Sequence, residues 1–225
     1  RYPQYDDTRW AVIENGFDEE NFLDAEAELD PTQLGADGQI TLVHSGVLYP
    51  QERDPRPFFA ALATLKRAGK IGGQNLQIIL RATGSDEMYQ PMIAELGIGD
   101  IVRLEPVVAY RDALREMLRA DGLLLFQGSV CNHQIPAKIY EYYRAGKPIF
   151  ALVDPSGISA NMLREVGVPD IADIANSEHI ADTLLGLMAA LKEGRRVGVA
   201  KSAAAKNSRK SRSAELANLL NKLTA

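Results

Sequence analysis

Among its 225 residues the chain has a single cysteine, Cys131. No internal disulfide can form, which fits a reducing compartment. No apolar run reaches the roughly 18 residues that a membrane-spanning helix needs, and the first residues carry no signal-peptide pattern. The expected location is therefore cytoplasmic. Histidine is scarce too: His44, His133 and His179 show no metal-ligand spacing, so no metal site is expected. There is no G-x-G-x-x-G fingerprint and no Walker-type G-x-x-x-x-G-K-[ST] loop, which argues against a dehydrogenase or an NTPase. A G-x-S-x-G elbow is missing as well. So is any excess of positive charge, since the net charge of −5 argues against a general nucleic-acid binder.

What is present reads as an ordinary globular chain. Hydrophobic residues make up 46% and charged residues 24%, enough for a sizeable core in one large domain or two small ones. From residue 40 onward, apolar runs alternate with helical patterns. Strands are expected at Ile40–Ser45, Leu76–Arg81, Ile101–Leu104, Gly122–Phe126, Pro148–Val153 and Asp170–Ile174. Helices are expected at Pro55–Ala68, Asp86–Leu96, Tyr110–Arg119, Pro136–Ala145, Gly157–Val166 and Ser177–Lys192. Strict alternation predicts an α/β, Rossmann-like, doubly wound parallel sheet. Ligands in such sheets bind outside the carboxyl ends of the strands. A terminal helix over 209–223, with Leu216, Leu219, Leu220 and Leu223 at helical spacing, is expected to pack on the domain. The first 35 residues look irregular, with a short strand at Ala11–Glu14, and Ser202–Arg212 is the stretch expected to be mobile. The segment from Lys192 holds nine Lys or Arg against two Asp or Glu. It is either a solvated helix approach with a basic loop, or a surface for anionic lipid or phosphate.

The stretch from Ile135 to Ile149 is the most informative. It follows the apolar run Gly122–Phe126 and reads as loop, helix, glycine turn and strand. Pro136 opens the helix and Gly146 closes it. A helix start beside the carboxyl end of a parallel strand is a ready anion site. Lys138 falls in its first turn, where a cation opposes the helix dipole unless an anion sits nearby. Glu141, slightly further in, can reach a ribose hydroxyl of the same ligand. This layout suits a nucleotide with a diphosphate, or else it is a plain βαβ crossover with a solvated Glu and a surface Lys.

The run "QIPAKIYEYYRAGKPI" also resembles the donor-site segment of family 4 glycosyltransferases, which have the two-Rossmann-domain GT-B fold. The likeness extends along nearly the whole chain. "VIENGFDEENF" resembles the stretch leading into their C-terminal domain. "LVHSGVLYPQERDPRPFFAAL" resembles that domain's first strand and glycine loop. "MIAELGIGDIVRLEPVVAYRDALREMLRADGLLLFQGS" resembles the base-binding turn and the strand after it. In the resembling enzymes an N-terminal Rossmann domain precedes this one and carries much of the acceptor site. The resemblance thus implies a donor-binding half. Residues 1–38 would lead in from the missing domain, 39–200 would form the nucleotide-sugar-binding domain, and 201–225 would be a basic linker and C-terminal helix.

The resemblance also implies roles. Glu141 resembles the second Glu of an E-x-x-x-x-x-x-x-E pattern, which holds the donor ribose hydroxyls. Eight places back stands His133 instead of Glu, a departure that puts the sugar and the activity in doubt. His133 and Asn132 can still donate or accept at a sugar hydroxyl, unless His133 is an ordinary loop histidine. Gly46 would let backbone approach the ligand closely, or serve only its turn. Where relatives carry a basic residue after that glycine, this chain has Val47; Arg53 or Arg56 would supply the charge, Arg53 being preferred. A guanidinium can clamp a phosphate with two parallel hydrogen bonds. Arg53, Lys138 and His133 are the catalytic candidates. Arg53 and Lys138 would stabilise the charge that develops on the leaving diphosphate. Val107 would meet the base and Tyr110 stack on it. Gln127 would flank the sugar, and Ile135 would line the same cleft. The implied reaction is retaining transfer from a UDP- or GDP-sugar to a glycan or lipid-linked acceptor. No further cofactor is implied, and the basic tail is a candidate for peripheral contact with the inner face of a membrane. A GT-B nucleotide-sugar epimerase and a non-catalytic scaffold are the rival readings.

Overall fold

The computed structural model describes residues 6 and 10–224, the last two by backbone alone. Part of the leading segment and the side chain of Leu223 therefore lie outside the described residues. Six parallel strands, β1 (Ile40–Ser45), β2 (Leu76–Arg81), β3 (Val102–Glu105), β4 (Gly122–Gln127), β5 (Ile149–Val153) and β6 (Ile171–Asp173), lie in the order β3-β2-β1-β4-β5-β6. The helices are α1 (Glu19–Ala27), α2 (Arg56–Arg67), α3 (Asp86–Glu95), α4 (Tyr110–Arg119) and α5 (Lys138–Ala145). They continue with α6 (Ile158–Glu165), α7 (Ser177–Lys192), α8 (Lys201–Ala205) and α9 (Arg209–Thr224).

Successive side chains of a strand point to opposite faces, and the two cores follow from that. Leu42, Leu124, Phe126, Phe150 and Leu152 join residues of α2, α3 and α7 on one face. Val43, Leu123, Leu125, Ala151 and Val153 join α1, α4, α5 and α6 on the other. Continuous apolar runs are what strands buried on both faces require. On the first face α2 buries Phe58, Phe59, Leu62 and Leu65, one helical stripe. The Phe58 ring meets Phe126 at 5.7 Å and Phe150 at 6.4 Å, both edge to face.

Helix boundaries differ slightly from expectation at the segment of most interest. α5 begins at Lys138, two residues past Pro136, because the first turn is tight: the amides of Ile139 and Tyr140 donate to the carbonyls of Pro136 and Ala137. Gly146 ends it in the left-handed region at φ +64°.

Three terminal expectations are corrected. Ala11–Glu14 forms no strand, and Ala11 and Val12 are exposed. The irregular start instead contains α1, capped by Asp18 and held by buried Phe22 and Ala25. Arg144 of α5 fastens it, pairing with both Glu19 (2.7 and 2.8 Å) and Glu26 (2.8 and 3.1 Å) while lying over the Phe22 ring. The stretch expected to be mobile contains α8, which buries Ala204 in the second core. The terminal helix leaves Leu216 and Leu220 about half exposed. Its first turn is tied to the start of the chain: Phe17 bridges Ser208, and Arg212 pairs with Glu14 and Glu215.

Candidate functional site

Strand order reverses between β1 and β4. β1 runs on to α2 on one face and β4 to α5 on the other, so their loops part and leave a crevice at the carboxyl ends. Gly46 follows β1 at φ +123°, where glycine is favoured. A Cβ there would lie 3.1 Å from the Lys138 Nζ. The glycine thus admits the turn and the lysine together. Its amide is not free for a ligand, since it donates to the Arg81 carbonyl.

Lys138, at the first turn of α5, reaches across to β1. Its Nζ lies 3.1 Å from Nε2 of His44, a fully buried residue whose Nδ1 lies 2.9 Å from the Leu124 carbonyl. A carbonyl only accepts, so Nδ1 carries the proton and Nε2 is left as an acceptor for the ammonium. Burial holds the His44 pKa well below its ordinary value, and the nearby Lys138 charge adds to this. Lys138 is pushed down to about 7, first by burial and then by the Arg53 charge, against an opposing pull from Glu141.

Arg53 donates through Nη1 to the Val47 carbonyl (2.9 Å) and lies over the Tyr49 ring. Arg56 is engaged elsewhere, in a bidentate pair with Asp54. Of the two arginines proposed from sequence, only Arg53 joins Lys138. Glu141, the candidate for a ribose hydroxyl, accepts from the Tyr110 hydroxyl at 2.7 Å. The turn after β3 is braced from below. Arg81 donates to the Pro106 carbonyl (2.7 Å) and pairs with Glu116 through two contacts of 2.6 Å. Val107 stands at that turn, 78% exposed.

The remaining sequence candidates are arranged differently. Gln127 does not open toward a sugar: it is buried, and its amide donates to the carbonyls of Cys131 and Gln134. It shapes the loop that carries His133. His133 is exposed on that loop, and Ile135 is half-buried between it and α5. Asn132 is held by Asp154 at 2.8 Å, and any Cβ at Gly157 would collide with it. The cluster as a whole can hold an anion between Arg53 and Lys138 and a hydroxyl at Glu141.

Known structures share this architecture. The sucrose-phosphate synthase of Thermosynechococcus elongatus matches over 96% of this chain and 55% of its own, at 15% identity and a TM-score of 0.65. HepE of Anabaena, solved in complex with UDP-glucose, matches over 94% and 57%, at 19% identity and a TM-score of 0.67. A UDP-forming trehalose-phosphate synthase from Burkholderia xenovorans matches over 95% and 52%, at 14% identity and a TM-score of 0.60. The chain has the fold of a GT-B carboxy-terminal domain. It spans about half the length of these structures. No family profile and no curated protein matches it by sequence.

Within this GT-B domain, His44 is the residue that sequence reasoning missed. The signal was there: an ionisable residue directly after Ile40–Val43, within a strand expected to be buried and two places before the glycine turn. Arg81 was visible as an unusual residue at a strand end, but its partner Glu116 lies 35 positions away and no local pattern joins them.

Proposed function

We propose that the domain binds the nucleoside diphosphate of a sugar donor and serves a retaining glycosyltransferase, acting with an N-terminal Rossmann domain. The observation that carries this reading is the pairing of Arg53 and Lys138 in the switch-point crevice. Two cations in one cluster, Lys138 with its pKa pushed down to about 7 by burial first and by the Arg53 charge second, are unfavourable unless an anion completes them. A diphosphate does so, and Glu141 lies within the same cluster to accept from a ribose hydroxyl. The UDP-glucose complex of HepE supports a nucleotide-sugar donor, with UDP and GDP the first bases to test. In transfer, the bond from the sugar C1 to the diphosphate oxygen breaks and the electron pair leaves with the diphosphate. Arg53 and Lys138 would stabilise that charge in a preorganised site. The acceptor hydroxyl of a glycan or lipid-linked sugar forms the new bond to C1 and gives its proton to the departing diphosphate.

Titration calorimetry of the chain with UDP, GDP, ADP and CMP tests this. One diphosphate is expected to bind saturably. Lys138→Ala and Arg53→Ala should each weaken it about 10- to 100-fold, the usual worth of a charge-assisted hydrogen bond. Glu141→Ala should weaken the nucleotide more than inorganic pyrophosphate. Unchanged affinity in both cation variants would remove the reading and favour a scaffold domain.

A further inference from the structure

His44 lies one layer beneath the proposed ligand, and nothing in a plain Rossmann crossover requires an imidazole there. It is fully buried between β1 and β4, with its ring edge-on to Phe126 at 5.1 Å. The Leu124 carbonyl fixes the tautomer from one side and the Lys138 ammonium meets the other nitrogen. We propose that His44 is a positioning residue, whose Nε2 accepts from Lys138 Nζ and so holds that ammonium charged and aimed over Gly46, where the diphosphate binds. The inference rests on the anion-site reading above.

The other groups around this contact leave His44 the role. Arg53, from the loop after β1, repels the ammonium, and Glu141, on α5 itself, attracts it. Tyr142 of α5 donates to the same Leu124 carbonyl at 2.9 Å. The acceptor that the structure puts in contact with Nζ is therefore the imidazole. A second consequence follows from Tyr142. Replacing His44 with Phe keeps a ring against Phe126 and does not orphan Leu124, whose carbonyl retains the tyrosine hydroxyl. The Gln variant restores an amide oxygen near the position of Nε2.

Two readouts test the proposal in the full chain. The first needs no ligand: the Lys138 side-chain carbon resonance followed by NMR against pH in wild type, His44→Phe and His44→Gln. His44→Phe should lower the Lys138 midpoint by about one unit, because an ammonium stripped of an acceptor is less stable when buried, and His44→Gln should restore it. The second is calorimetry with inorganic pyrophosphate from pH 6 to 9. Wild-type affinity should fall as pH rises through about 7. His44→Phe should bind about tenfold more weakly at pH 7 with its profile moved to lower pH. An unmoved Lys138 midpoint in folded His44→Phe overturns the proposal. If that midpoint stays put while Lys138→Ala still abolishes pyrophosphate binding, the anion site stands and His44 is structural. If the midpoint moves but no variant and not even wild type binds pyrophosphate, His44 does position the lysine and the donor-site reading fails instead.

Discussion

Lys138 carries a cost in the free domain. Its pKa falls from 10.5 when unfolded to about 7 in the fold. Between those values the unfolded chain binds more protons, so stability rises with pH over that window and the penalty is full below pH 7. Lys138→Met should therefore stabilise the free domain at pH 6 by up to about 5 kcal/mol, with the gain fading toward pH 10, in denaturant titrations at each pH. A variant no more stable than wild type at pH 6 would mean that the ammonium is well solvated. The same change should abolish pyrophosphate binding, which separates a functional lysine from a packing one. Arg53, Lys138, Glu141 and Tyr110 could be picked out as candidates from sequence because each stands at a recognisable place, after a glycine turn or within the first turn of a helix. His44 and the inward turn of Gln127 were not, because both depend on which carbonyl a neighbouring strand presents.

At the scale of elements, the sheet was legible and the edges were not. All six strands and the helices between them follow from alternation of apolar runs with helical stripes, since strands buried on both faces have little choice of residue. α1 escaped notice because four of the nine residues of EENFLDAEA are acidic and only Phe22 and Ala25 are buried. Arg144, 117 residues or more along the chain, supplies the rest of its attachment. The pH dependence of that attachment has a definite sign. Arg144 holds the Glu26 carboxyl below its ordinary value of 4.5, so its contribution is present above that value and is lost as pH falls through the lowered one. Hydrogen exchange should show α1 amides opening at acidic pH before those of β1, and Arg144→Ala should produce the same opening at pH 7. Equal protection of α1 in wild type and variant would contradict this. Arg81 and Glu116 tie β2 to α4 with side chains 12% and 11% exposed. Glu116→Ala would leave a guanidinium without its partner and should cost about 3 kcal/mol, while Phe58→Ala in the first core should cost about 3–5 kcal/mol. Either variant unfolding at the wild-type denaturant midpoint would refute the packing described.

For the whole molecule, the arrangement of charge and crevice explains why the site sits where it does. The sheet order places β1 and β4 side by side, and the loops that follow them turn to opposite faces. Arg53 comes from one of these loops and Lys138 from the helix after the other, so neither local segment makes the site alone. On the proposed reading the isolated chain should bind nucleotide yet transfer little sugar, because the acceptor side belongs to another domain. The most direct measurement is an amide chemical-shift map of the 225-residue chain titrated with UDP and with GDP. Saturable shifts are expected at residues 44–49, 105–110 and 127–141, and in Lys138→Ala they should need about 10- to 100-fold more nucleotide. Saturable shifts confined elsewhere, for instance in the cavity of about 630 Å³ lined by Phe17, Arg144 and Lys201, would contradict the proposed reading.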